Sequence, residues 1–218
     1  MQTYRIIFCK KGDSKYLSHL DLMRCFTRAV KRTGCNAWYT EGFNPHLYLM
    51  FVSPLSLGFE SEYEAVDIRL DDETDLDDFL IKINSALPRG IEVLSISLAG
   101  CSYKELGYST WEIKIENSDN RIKKDEILRF LDQEHIYVLK KSKKGTEKQE
   151  DIKQYIKSIK IETNNAIILI ADFVTNLSIS LNPQLFLSGL WDYLCLNNIP
   201  DISITRKMLL DVNGKKMQ

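Results

Sequence analysis

Apolar and polar positions change their period several times along the chain, and each change marks an element. Thr3 to Lys10 reads T-Y-R-I-I-F-C-K, a β-branched and aromatic run that predicts a strand, and Lys11-Gly12-Asp13 turns the chain out of it. From His19 the period becomes helical. Leu22, Phe26, Ala29 and Val30 fall on one face, and Arg24, Arg28, Lys31 and Arg32 on the other. Ser18 and Asp21 frame the start, because the hydroxyl can accept from the amide three residues on while the carboxylate complements the positive helix end. Gly34 stops the helix. Leu47 to Val52 predicts a second strand. Glu62 to Leu70 alternates as E-Y-E-A-V-D-I-R-L and predicts a half-buried third, with Tyr63, Ala65 and either Ile68 or Leu70 competing to set its inward face. A second helix begins near Asp75, with Leu76, Phe79, Leu80, Ile83 and Leu87 apolar, and breaks at Pro88-Arg89-Gly90. Ile91 to Leu98 alternates as a fourth strand.

Strand, helix, strand, strand, helix, strand is the split βαβ pattern. The second half repeats it less cleanly: strand Ser109 to Glu116, helix Ile122 to Gln133, strand His135 to Lys141, strand-like pieces at Ile152 to Glu162 and Ala166 to Phe173, a helix from Asn182-Pro183 through Leu196, and a closing strand from Ile202 to Leu210. The expected fold is α+β, two tandem ferredoxin-like units with antiparallel sheets, residues 1–99 and 108–218, joined by a linker at about 100–107. One continuous α+β domain is the alternative. That pattern serves RNA-binding modules, metal carriers, small-molecule regulators and RNA-processing nucleases, so it decides no function.

Between the first helix and the second strand lies Thr40-Glu41-Gly42-Phe43-Asn44-Pro45-His46. Gly42 admits positive φ, Pro45 fixes its own φ and holds Asn44 extended, and Asn44 can bond its own backbone. The loop is therefore stiff. It is read either as a tight turn with a buried phenylalanine or as a preorganised recognition site made of Gly42, Phe43, Asn44, Pro45 and His46, with His19 and Arg24.

Three blocks carry a family resemblance: R-I-I-F-x-K-x-G-D-S-K-Y-L-S-H-L-D-L-M-R-x-F-x-R-A-V-K-R-T-G, then Y-T-E-G-F-N-P-H, then S-P-L-S-L-G-F-E-S-E-Y-E. They resemble the radical-SAM-associated domain of unknown function, which is found fused after a B12-binding-type radical SAM protein or encoded beside one. The resemblance runs from Arg5 to Leu98 and more loosely from about Gly107 to Leu210. It implies a radical SAM protein as partner and a non-catalytic accessory or substrate-presenting role.

Composition narrows the classes. With 44% hydrophobic and 27% charged residues and no apolar run long enough to span a bilayer, the chain is read as globular and cytoplasmic, with no membrane partner. Five scattered cysteines without a C-x-x-C pair argue against a disulfide framework, a zinc ribbon or a cluster held by this chain; Cys25 and Cys195, among apolar helical residues, read as buried. No histidine among His19, His46 and His135 stands at helical ligand spacing to another or to a cysteine, and no nucleotide motif is present. Neither metal nor cofactor is expected.

The formal net charge of -1 conceals segregation. From Arg5 to Arg32 there are eight basic residues against Asp13 and Asp21; from Glu60 to Asp78, ten acidic ones against Arg69, mostly expected on a solvent-facing strand side and a helix start. From Lys140 to Lys160 eight lysines return. The row Arg24, Arg28, Lys31, Arg32 is either an ordinary solvated face or an anion-binding one, and so is the lysine loop with Lys143 and Lys144. Together they would track phosphates, with Phe43, Tyr39 or Tyr48 stacking bases, as in structured RNA. The alternative function is an RNA-binding or metal-independent RNA-cleaving protein, for which His46 beside Arg24 or Arg28 is the one acid–base candidate, although no nucleophile is placed for it.

Overall fold

The computed structural model describes residues 1–71, 73–117, 120–141, 147–163 and 166–218. The chain divides into two compact units, Met1–Leu106 with Arg206–Gln218, and Gly107–Thr205. The first holds β1 (Gln2–Lys10), α1 (His19–Thr33), β2 (Leu49–Phe51), β3 (Glu60–Leu70), α2 (Leu76–Ala86) and β4 (Ile91–Leu98). The second holds β5 (Leu106–Glu116) from its second residue on, α3 (Lys124–Leu131), β6 (Tyr137–Lys141), β7 (Glu147–Asp151), β8 (Ile156–Thr163), β9 (Ala166–Val174) and α4 (Pro183–Tyr193). The last strand, β10 (Ile202–Asp211), passes from the second unit into the first at Arg206. The sequence reading ended the first unit before residue 100 and left the whole last strand with the second. In the structure residues 206–218 join the first unit, where Met217 is fully buried and Tyr63 Oη donates to its carbonyl at 2.8 Å.

In the first unit β1 lies between β4 and β3, and β2 pairs on the other side of β3 through Leu49 to Ile68, Met50 to Asp67 and Phe51 to Val66. All three described pairings are antiparallel. The helices form for the expected local reasons. Ser18 Oγ accepts from Asp21 N at 3.2 Å and donates to its carboxylate at 2.7 Å, and Gly34 closes α1 at φ 74°. Asp75 takes the amides of Asp77 and Asp78 to cap α2. Tyr4, Ile6 and Phe8 of β1 and Val66, Ile68 and Leu70 of β3 face Leu22, Phe26, Ala29 and Val30 of α1 and Phe79 and Ile83 of α2. Phe8 and Phe26 stand 4.8 Å apart, with Phe51 edge-on to both.

Strand β3 departs from the half-buried reading. Ala65, Val66, Asp67 and Ile68 are all 4% exposed or less, so both faces are covered. The second face lies under Ile7, Val52, Leu106, Leu209 and Met217, several of them far along the chain. From Glu64 to Ile68 the strand, flanked on both edges and covered on both faces, has no solvent side for its carboxylates, whereas Glu62 nearer its start keeps a side chain 42% exposed beside Lys207.

In the second unit the strands run β10-β5-β9-β8, while β6 and β7 form a separate hairpin. Leaving that hairpin aside, last-first-third-second is the strand order in both units. The hairpin packs on α4 so closely that a Cβ on Gly189 would meet Val138 Cγ1 at 2.7 Å. Helix α4 stops at Tyr193, earlier than expected, because Cys195 turns left-handed at φ 51°, its amide bonding Asp192 O and that of Leu196 bonding Trp191 O. This takes Cys195 out of the helix and exposes it, whereas the sequence reading buried it; Cys25 is half-buried, and Cys9 is the buried one.

Candidate recognition surface on the first unit

Residues 37–48 form a hairpin on the β3 end of the first sheet. Ala37 bridges Leu70, Trp38 N donates to Arg69 O at 3.0 Å, Tyr48 N to Trp38 O at 3.1 Å, and Tyr39 bridges Leu47. The loop at its tip is pinned from both ends. Thr40 N donates to His46 O at 2.8 Å, and His46 N to Thr40 Oγ1 at 3.1 Å. His46 Nδ1 lies 2.9 Å from the same hydroxyl and 3.3 Å from Asn44 O. A carbonyl can only accept, so the tautomer that serves both neighbours carries its proton on Nδ1. Gly42, at φ 122°, supplies a conformation that other residues rarely adopt.

The consequence is the placement of Phe43, which is fully exposed at 111%, while Leu47, on the arm of the hairpin beyond it, is buried at 4%. Gly42, Asn44, Pro45 and His46 are exposed with it. The phenylalanine is therefore no core plug.

Cations gather on this hairpin. Lys31 Nζ sits 5.7 Å over the Tyr39 ring, which joins the last turn of α1 to the hairpin. The Arg69 guanidinium lies over two rings that touch each other edge-on, 4.9 Å from Trp38 and 4.8 Å from Tyr48, whose centroids are 5.7 Å apart. Trp38, Tyr48 and Arg69 were missed as a group; the available signal was an aromatic on each arm of a Gly/Pro loop, which in a hairpin become cross-strand neighbours. Arg28 and Arg32 are exposed, and among the described residues no carboxylate pairs with them.

The remaining site residues are placed elsewhere or are already engaged. Arg24 pairs with Asp21 at 3.0 Å, both side chains about half exposed, a contact of small energetic worth that still offsets its charge. His19 opens α1 and packs edge-on against Phe51 at 5.1 Å. From position 19 to position 31, at about 1.5 Å per residue, is about 18 Å along the helix, so His19 stands at the end opposite Lys31. Lys143 and Lys144 lie outside the described residues.

Two members of the basic stretch are not on the surface at all. Arg5, fully buried, grips Asp67 through Nε–Oδ1 at 2.7 Å and Nη2–Oδ2 at 2.9 Å and also donates to Cys101 O. Lys10, 1% exposed, donates to the carbonyls of Lys15 and Leu17. Glu64, expected toward solvent, is buried 3.1 Å from Arg206, which also bonds the carbonyls of Ser53 and Pro54. Burial pushes the Glu64 carboxyl up and the Lys10 ammonium down, each opposed by the opposite charges of the group.

A cleft of about 280 Å³ between the end of α1 and the start of α2 is lined by Asn36, Asp71, Glu73, Asp75, Asp78 and Lys82, a set that repels anions. Among the described residues no three His, Cys, Asp or Glu side chains converge as metal ligands, and no helix is long and apolar enough to cross a membrane.

A family model described as "Uncharacterized protein conserved in bacteria (DUF2344)" matches residues 3–183. The chain belongs to this family. The DUF2344 match takes in β1 to β9 and ends at the first residue of α4, so it contains the cationic helix and the hairpin. No curated protein matches the chain. Among solved structures, the crystal structure of an unknown protein from Galdieria sulphuraria is similar at 10% identity and a TM-score of 0.30, covering 94% of this chain and 98% of that one.

Proposed function

We propose that this DUF2344 protein is a non-catalytic accessory module that works with a radical SAM enzyme and holds a structured RNA against the cationic face of α1. The observation that carries the RNA reading is the Lys31–Tyr39 contact, which joins the helix bearing Arg28 and Arg32, exposed and without a carboxylate partner among the described residues, to a hairpin whose tip is exposed and aromatic. Counterions released from phosphates by such side chains provide most of the affinity in sequence-independent RNA binding. The radical SAM partner rests on the sequence resemblance. Each unit is read as a ferredoxin-like fold from its repeated strand order, the second with β6 and β7 inserted as a hairpin.

A binding role without chemistry is favoured because His46, the acid–base candidate, holds its own loop through Nδ1, the one hydroxyl beside it, Thr40 Oγ1, is the same group that takes the His46 amide, and Arg24, its expected companion, is paired with Asp21. A gel-shift assay with a transcribed stem-loop RNA tests the reading. Binding is expected to weaken about tenfold or more when Arg28 and Arg32 both become Glu, with the RNA recovered intact. Affinity indifferent to that double change refutes the RNA reading, and cleaved RNA refutes the non-catalytic one. Failure of the radical SAM protein to co-purify with this chain removes the proposed partnership.

A further inference from the structure

We propose that Phe43 is the seat for one unpaired nucleobase, so that the ligand of this surface is a looped or single-stranded RNA segment rather than a duplex. This rests on the RNA reading above and specifies its substrate class. A phenylalanine with its whole side chain in water forgoes the burial that normally places it inside, and here the loop around it is held by Thr40, His46 and Gly42 in one conformation. With the backbone of the tip already pinned, only the rotamer freedom of the ring itself is lost when it meets a partner's flat face.

The neighbours of the ring identify that partner. Of the aromatic rings on the hairpin, Tyr39 carries Lys31 on its face, and Trp38 and Tyr48 carry Arg69. Among the described residues Phe43 has no such cation and no ring contact, so both its faces remain open. Around it the loop offers Thr40, Glu41, Asn44 and His46, a polar rim with an exposed side-chain amide at Asn44 that can meet a base edge. Lys31 reaches the same hairpin at Tyr39, and Arg28 and Arg32 are exposed on the same helix, so cations able to take phosphates of the strand are available on α1. Paired bases in A-form RNA keep their faces within the stack, whereas unpaired ones in loops can splay out onto an aromatic side chain.

The test is fluorescence anisotropy with three labelled RNAs: a stem-loop with a loop of unpaired pyrimidines, the same stem as a blunt duplex, and a short single strand. Phe43→Ala is expected to weaken the stem-loop and the single strand about ten- to hundredfold while leaving the duplex unchanged, and Phe43→Tyr to retain binding. Unaltered melting of Phe43→Ala shows that the fold is intact. If Phe43→Ala weakens all three RNAs alike, or none of them while Arg28→Glu/Arg32→Glu still weakens the stem-loop, the stacking seat is overturned and the RNA reading survives. If the wild-type protein binds none of the three, both fall together. If Phe43→Ala spares RNA binding but abolishes co-purification with the radical SAM protein, the ring belongs to a protein contact and the inference is overturned.

Discussion

Two sets of cations in the first unit lie within thirty residues of each other in sequence, and the fold treats them in opposite ways. Arg5 and Lys10 on β1 are buried and fully engaged, Arg5 by Asp67 and Lys10 by two carbonyls. Arg28, Lys31 and Arg32 on α1 stand in water, two of them without a described carboxylate partner and one over a tyrosine ring. Along the sequence they form one basic stretch. Strand and helix separate them. A strand between two neighbours with both faces covered has no solvent side, so its charges must find partners within the fold; a surface helix with one apolar stripe leaves its other face to solvent or to a ligand. Only the second set contributes to the potential felt by a polyanion.

Breaking the first set should have the largest effect, and on stability. Asp67→Ala leaves the Arg5 guanidinium buried without its carboxylate and is expected to cost about 3–5 kcal/mol in urea unfolding. The paired change Arg5→Met with Asp67→Leu should recover most of that loss, since removing both charges relieves the desolvation as well. A cost under about 1 kcal/mol for Asp67→Ala would show that the pair is not a buried anchor.

The next effect is smaller and local. His46→Ala removes the ring that bonds Thr40 and Asn44 O, and should lower stability by about 1 kcal/mol while loosening the Phe43 tip, seen as faster hydrogen exchange at residues 42–46. Unchanged exchange there would mean that the backbone pairing of Thr40 with His46 suffices. Smaller again, Arg28→Ala with Arg32→Ala should move the unfolding free energy by no more than about 0.5 kcal/mol, because nothing in the fold depends on those heads. A large loss would place them in the structural set.

The first helix and the loop after it were legible in the sequence because their causes are local. Ser18, Asp21 and Gly34 cap a helix whose apolar stripe has a single period, and Gly42 and Pro45 restrict the loop within a few residues of Phe43. The buried faces of β3 were not legible, since Glu64 reads as one of ten acidic residues until Arg206 arrives from the far end of the chain. The same holds for the cover over Asp67, which includes Leu209 and Met217. Arg69 looked like a lone cation in an acidic run; only the pairing of Trp38 with Arg69 and Tyr48 reveals the two adjacent rings beneath it. Cys195 was misread because a left-handed cap at a cysteine leaves no glycine signal.

The smallest expected effect is a pH dependence at the other end of α1. Burial, and then the nearby Lys10 ammonium, hold the His19 imidazole below its ordinary value. The unfolded chain therefore takes up this proton first as pH falls, so stability present above about pH 6.5 should decline below it. His19→Gln should flatten that part of the profile in pH-dependent melting, and an unchanged profile would remove His19 as its source.

The measurement that most directly tests the division between the two sets is the salt dependence of stem-loop RNA binding. Replacing Arg28, Lys31 and Arg32 by Gln should reduce the slope of log K against log salt by about 0.7–0.9 for each side chain that no longer neutralises a phosphate, about 2–3 for the three together, with melting unaltered. A slope that stays at its wild-type value in the triple variant would contradict the account.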